Sequence, residues 1–243
     1  FSVIFFMFLM VFFPPPIISQ LSNYESYIPS STSNEVYHNA YYSISYLEEY
    51  ELAEWTIYFK CNNDSLNRVR RTNSFRKDPN IINGSAELND YRQSGFDRGH
   101  LVPAADMSFD SIAMSQSFLM SNMAPQHPSF NRGIWKKLES EVRSWTLKYD
   151  SLIIISGCIT AKIDTVIGLN KVAVPSSFYK IVIDLTRMST ISFLIPNKKA
   201  DTSLVNYVTS INHLEELTKV DFLFSLPKRV QLFLEKGQSL NDW

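Results

Sequence analysis

The sequence predicts an α+β domain, on three observations. Runs rich in β-branched and aromatic residues are intermixed with helical patterns, without the regular strand–helix–strand rhythm of a doubly wound sheet. No glycine-rich phosphate loop follows any strand. With 243 residues, 45% of them hydrophobic and 19% charged, the chain is long enough for one substantial core and is neither disordered nor fibrous in composition.

The chain opens on an almost wholly apolar run, residues 1–13, that stops at Pro14, Pro15 and Pro16. A bilayer-spanning helix wants about 20 apolar residues, so this run reads as the core of a secretory signal peptide, with a membrane anchor as the alternative. The expected division is therefore residues 1–19 as signal or anchor, 20–40 as linker and 41–240 as the folded domain. The linker rests on Pro29 and the small polar run that follows it. The expected location is secreted or periplasmic. Membrane contact then comes only through an uncleaved N-terminus.

Within the domain, 42–46 and 54–60 alternate as strands, the second placing Trp55, Ile57 and Phe59 on one face. Arg68, Arg70, Arg71, Arg76 and Lys77 form a local basic cluster, which is either a solvated loop or a phosphate-facing surface. Residues 110–115 suit a short helix, 117–122 a strand and 123–130 a loop. From Asn131 to Tyr149, Ile134, Leu138, Val142, Trp145 and Tyr149 recur at spacings of three and four, which marks one buried helical stripe. Lys136, Lys137, Glu141 and Lys148 fall elsewhere on that helix and suit solvent. Three β-branched runs, 151–156, 178–184 and 190–195, read as strands. Residues 203–218 read as one or two helices and 226–236 as a last short one.

A net charge of −1 excludes a polycation that coats nucleic acid indiscriminately, so attraction to phosphate has to come from local patches. Cys61 and Cys158 are too few for a disulfide framework and read as buried thiols, with one bridge as the alternative on export. His38, His100, His127 and His213 are scattered with no ligand-spaced pair, which argues against a zinc hydrolase.

The chemistry concentrates in Asp97-Arg98-Gly99-His100. An imidazole beside an orienting acid and an anion-holding guanidinium is a candidate general base at a phosphate. Asn131 offers a hard oxygen of the kind Mg²⁺ accepts, although at a helix entrance an N-cap is the favoured role for it. Glu139 lies eight residues on, roughly 12 Å up a continuous helix, too far to grip the same ion directly. It suits the orientation of metal-bound water. Arg143, one turn further, either pairs with Glu139 or holds phosphate.

Asp97-Arg-Gly-His100, Ser121-Asn-Met-Ala-Pro-Gln126 and Asn131-Arg-Gly-Ile-Trp-Lys-Lys-Leu-Glu139, in that order and spacing, resemble the non-specific DNA/RNA endonucleases of the ββα-metal (His-Me finger) superfamily, the endonuclease G-like enzymes. The resemblance implies that fold, with a mixed or antiparallel central sheet and flanking helices. It implies His100 as general base and Asn131 as the direct ligand of Mg²⁺, with Mn²⁺ as a substitute. Glu139 would act through water, and Arg98 and Arg143 at the phosphate. Asn122 would be a supporting hydrogen-bonding residue in the site, and Asp97 an anchor of the substrate-binding loop. Arg71 and Arg76 are both candidates for the upstream basic residue that binds substrate. DNA and RNA are the implied partners, the implied products carry 5′-phosphates, and dimers occur in the family, so a homodimer is an implied assembly. Two rivals stand beside this reading: a binding module that has lost catalysis, and a small-molecule phosphodiesterase.

Overall fold

The computed structural model describes residues 24–62, 68–161, 163, 165–237 and 239–243. The apolar run 1–13, and with it the signal-or-anchor reading, lies outside the described residues. The strands are β1 (Val36–His38), β2 (Tyr42–Leu47), β3 (Leu52–Cys61), β4 (Asp97–His100), β5 (Met123–Gln126), β6 (Ser151–Ile159), β7 (Val166–Ile167), β8 (Val172–Ala173), β9 (Ser177–Asp184), β10 (Ser189–Pro196) and β11 (Val208–Thr209). The helices are α1 (Ser111–Gln116), α2 (Lys136–Tyr149), α3 (Ile211–Thr218) and α4 (Lys228–Leu234).

Seven of these strands form one sheet in the order β1-β2-β3-β6-β9-β10-β11, antiparallel at every pairing. Both faces are covered, which is why its strands read as nearly continuous apolar runs. On β6, Leu152 and Ile154 enter one core with Phe178, Phe193 and the α2 stripe, whereas Ile153 and Ile155 enter a second core with Ile211, Leu214 and Leu234 of α3 and α4. Each fully buried aliphatic side chain contributes about 1.5–3 kcal/mol, so the sheet is held from both sides. The β4–β5 ribbon and α2 lie on the first face, where Met123, Ala124, Leu138 and Val142 join that core.

Four sequence expectations change. Residues 24–40, read as linker, carry structure: β1 pairs with β2, Thr32 N–H donates to Glu54 Oε2 at 3.1 Å, and Trp55 Nε1 donates to Ser30 O at 2.8 Å. The run 117–122 is not a strand. Ser117 N–H bonds back to Ala113 O and Asn122 N–H to Leu119 O, and Met120–Asn122 is a 3₁₀ turn. The strand falls instead on β5, where Pro125 is tolerated because a two-stranded ribbon is all edge. The long helix starts late. Phe130–Trp135 winds as a π-type turn, broken at Gly133 (φ −103°, ψ −108°), and regular α-helix begins at Lys136.

Candidate active site

Antiparallel pairing sets Asp97, Arg98, Gly99 and His100 opposite Gln126, Pro125, Ala124 and Met123. The two-residue period of a strand then puts Arg98 and His100 on one side. Gly99 carries no side chain because the Gln126 side chain fills the space a Cβ would take.

The His100 ring is held edge-on by Phe75 and Phe118, with centroids at 5.6 and 5.0 Å, and these two rings contact each other at 4.9 Å. The same pair carries the nearby cations: Arg98 Cζ lies 4.2 Å from the Phe75 ring centre and Arg71 Cζ 4.8 Å from that of Phe118. Burial, then the Arg71 and Arg98 charges, push the imidazole down to about 3, against a hydrogen bond to the Arg98 backbone. The ring is therefore neutral, and among the described residues its buried Nε2 has no hydrogen-bond partner. A neutral, unpartnered ring nitrogen is a proton acceptor.

Asn131 is not acting as a helix cap. Its Nδ2 donates to Asp97 Oδ2 at 2.9 Å, which leaves the amide oxygen without a donor among the described residues. The other donors to Asp97 come from Arg132, Nε at 2.8 Å and Nη2 at 2.6 Å. Burial alone would raise the Asp97 carboxyl, yet the Arg132 and Asn131 bonds hold it below its ordinary range. Asp97 is thus an anion tied to Asn131 and Arg132, and it does not itself line the cavity bordered by Arg98, His100 and Asn131.

Glu139 is part-buried, and burial pushes its carboxyl up. The buried Lys180 ammonium opposes that shift and is itself pushed down by burial. Arg143 donates to the buried Asp106 at 3.1 Å and to Ser140 Oγ at 3.0 Å, and Asp106 also accepts from Tyr58 OH at 2.6 Å. Asp106 therefore fixes the guanidinium from behind. Pairing of Arg143 with Glu139 is replaced by pairing with Asp106.

One cavity of about 470 Å³ gathers Arg71, Arg98, His100, Asn131, Arg132, Lys136, Glu139 and Arg143. Asn131, before the break at Gly133, and Glu139, in the regular helix after it, both line this space. Of the two upstream candidates Arg71 lines the cavity, whereas Arg76 Nη1 is bonded to Ser115 O at 2.8 Å and turns away. Asn122 does not line it either. It is fully buried, and its amide bonds the Val102 backbone at 2.9 and 3.0 Å and Ser117 O at 2.8 Å. Those bonds brace the chain just after β4 from beneath. Arg132 and Lys136, the latter expected in bulk solvent, are cavity residues. Being polar positions around the Gly133 break was their only signal.

A β-ribbon followed by a helix, with histidine, asparagine and glutamate on one cavity, is the arrangement of a ββα-type nuclease. Residues 20–229 match the DNA/RNA non-specific endonuclease family, and the chain belongs to it. It is 35% identical over 195 residues to "Nuclease 1, mitochondrial" of Schizosaccharomyces pombe, covering 71% of this chain and 61% of that protein. It is 34% identical over 174 residues to "Nuclease EXOG, mitochondrial" of Homo sapiens, covering 63% of this chain and 47% of that protein. A chain in the crystal structure of an EndoG/EndoGI complex has the same fold, with a TM-score of 0.78 at 24% identity, covering 93% of this chain and 98% of that one. The relatives also correct the expected location. Both of the named relatives are mitochondrial, as is a third in Saccharomyces cerevisiae, so the secreted or periplasmic reading of the apolar start is withdrawn. Apolar length alone does not separate one targeting segment from another.

Proposed function

We propose that this chain is a metal-dependent endonuclease that hydrolyses phosphodiester bonds of DNA and RNA with little sequence preference, leaving 5′-phosphate ends, in the mitochondrial setting its named relatives share. One observation carries the proposal: an unpartnered imidazole nitrogen, a donor-free amide oxygen and a carboxylate border one cavity with four arginines and a lysine. Such a cavity suits a polyanion held by its backbone, and phosphate contacts position a substrate without reading its bases.

The donor set fits Mg²⁺ or Mn²⁺. Asp97 engages the amide nitrogen of Asn131, so the hard oxygen is what Asn131 offers, with the Glu139 carboxylate beside it. When bound there, the ion supplies positive charge against the negative charge that builds on the phosphorane and leaving oxygen. His100 Nε2 takes a proton from the attacking water, and the water oxygen bonds to phosphorus as the bond to the 3′-oxygen breaks. Packing between Phe75 and Phe118 holds the ring, and its bond to the Arg98 backbone leaves Nε2 as the acceptor. Arg98, Arg143 and Arg71 hold the non-bridging phosphate oxygens, Arg143 in the position Asp106 gives it.

The test is digestion of plasmid DNA and of RNA by purified full chain, with Mg²⁺ and with EDTA. Both polymers are expected to be cut with Mg²⁺ and spared with EDTA. Binding without cleavage, or cleavage of small phosphodiesters alone, would overturn the proposal.

A further inference from the structure

The turn 103–108, between β4 and α1, walls the catalytic cavity and two further spaces beside it. One of these, about 200 Å³, adjoins the cavity across Arg71, Ala104 and Ala105. The other, about 50 Å³, adjoins it across Ala105 and Arg143. Arg68 and Ser108 border both side spaces but not the cavity itself. The remaining charged lining is Arg71 on the first, with Arg143 and the buried Lys60 on the second, and no described carboxylate lines either. In a chain of net charge −1, an all-positive lining that continues out of the cavity is a local field for an anion. The backbone beneath Arg68 is fixed: Val69 N–H donates to Ser108 O at 2.7 Å, and Val69 packs on the buried Ala104, Met114 and Phe118. The Arg68 side chain is left exposed, and none of the ion pairs among the described residues engages it. Arg132 and Arg143, in contrast, are each paired with an aspartate.

We propose that Arg68, with the two spaces it borders, binds the phosphate of a nucleotide flanking the scissile bond, so that the substrate strand runs from the catalytic cavity over Ala105 to Arg68. The assignment rests on the endonuclease reading above and narrows its substrate to a polymer. A guanidinium is always charged and grips phosphate oxygens with two parallel N–H donors. Only a chain of nucleotides carries a second phosphate to place there, and such a contact holds the strand without reading its bases.

The test gives purified full chain two substrates with Mg²⁺: a single-stranded DNA dodecamer, and a dinucleoside monophosphate, which carries the scissile phosphate alone. Arg68→Ala is expected to lower kcat/KM about tenfold on the dodecamer, the loss of one charge-assisted contact, and to leave the dinucleoside monophosphate near its unaltered value. Affinity for a fluorescent dodecamer in EDTA, read by anisotropy, should fall by the same factor, with a salt slope shallower by about one. Arg68→Lys keeps the charge and should recover part of the loss. Arg229→Ala, which removes an exposed arginine of α4 on the opposite face of the sheet, should leave every quantity unchanged. Equal losses on the two substrates, or a dodecamer affinity and salt slope in Arg68→Ala that match those of Arg229→Ala, would overturn the proposal. A chain that loses dodecamer affinity with Arg68→Ala in EDTA, yet cuts neither substrate when unaltered, would sink the endonuclease reading and leave the Arg68 contact standing.

Discussion

Asp97→Ala tests how the proposed metal ligand, Asn131, is set. Asn131 can present either end of its amide to the cavity, and one bond of 2.9 Å to Asp97 selects the oxygen. A hydrogen bond to a charged group contributes about 1.5–3 kcal/mol. Even the lower figure keeps the competent orientation more than about 90% populated; without it the two orientations even out at about one half, and apparent affinity falls with that fraction. The Mg²⁺ concentration giving half-maximal rate is therefore expected to rise about twofold, while the rate at saturating Mg²⁺ stays near normal. Initial rates of plasmid nicking across a Mg²⁺ series measure both quantities. Arg132→Ala is the control, because it removes the exposed partner of Asp97 and leaves the Asn131 bond in place. Its half-saturation should stay near that of the unaltered protein. An unchanged Mg²⁺ requirement in Asp97→Ala, or a loss of rate that Mg²⁺ does not restore, would refute the orienting role.

Three further outcomes follow from the same geometry. His100 sits at about 3 in the folded chain against an ordinary 6.5, so the unfolded chain binds more protons between those values and stability rises with pH across that window. That contribution is complete above about 6.5 and amounts to about 2 kcal/mol between pH 7 and pH 5. Thermal midpoints of the unaltered protein should thus fall about 4–8 °C further over that interval than those of His100→Asn, and parallel curves would contradict it. Arg71→Ala should lower kcat/KM on DNA by about 10²-fold and Arg76→Ala by less than about threefold, because Arg76 is bonded to Ser115 O away from the cavity; steady-state kinetics giving the reverse order would be contrary. Gly99→Ala forces a methyl into the Gln126 side chain and should cost about 1–3 kcal/mol, read as a lowered midpoint that Gln126→Ala partly restores.

Much of this is visible along the chain, and what is not has a physical reason. The strands of the main sheet announce themselves because burial on both faces demands apolar residues at nearly every position, as in 151–156. β5 is hidden by Pro125 and by its length of 4 residues, and the apolar pattern of 117–122 is that of a buried turn. His100, Asn131, Glu139 and Arg143 stand out by type and spacing. Phe75, Phe118, Asp106 and Lys180, which hold them in place, come from distant segments and leave no local mark. The roughly 12 Å expected between Asn131 and Glu139 rests on a straight helix, which the chain does not form between them. Gly133 inside the pattern was the available sign that the ladder breaks there.

Single-turnover cleavage of plasmid DNA by His100→Ala at saturating Mg²⁺ bears most directly on the proposed chemistry. Removing the proton acceptor should slow cleavage by about 10²–10⁴-fold while DNA affinity and the Mg²⁺ half-saturation hold. A near-normal rate from a folded His100→Ala protein would contradict the account.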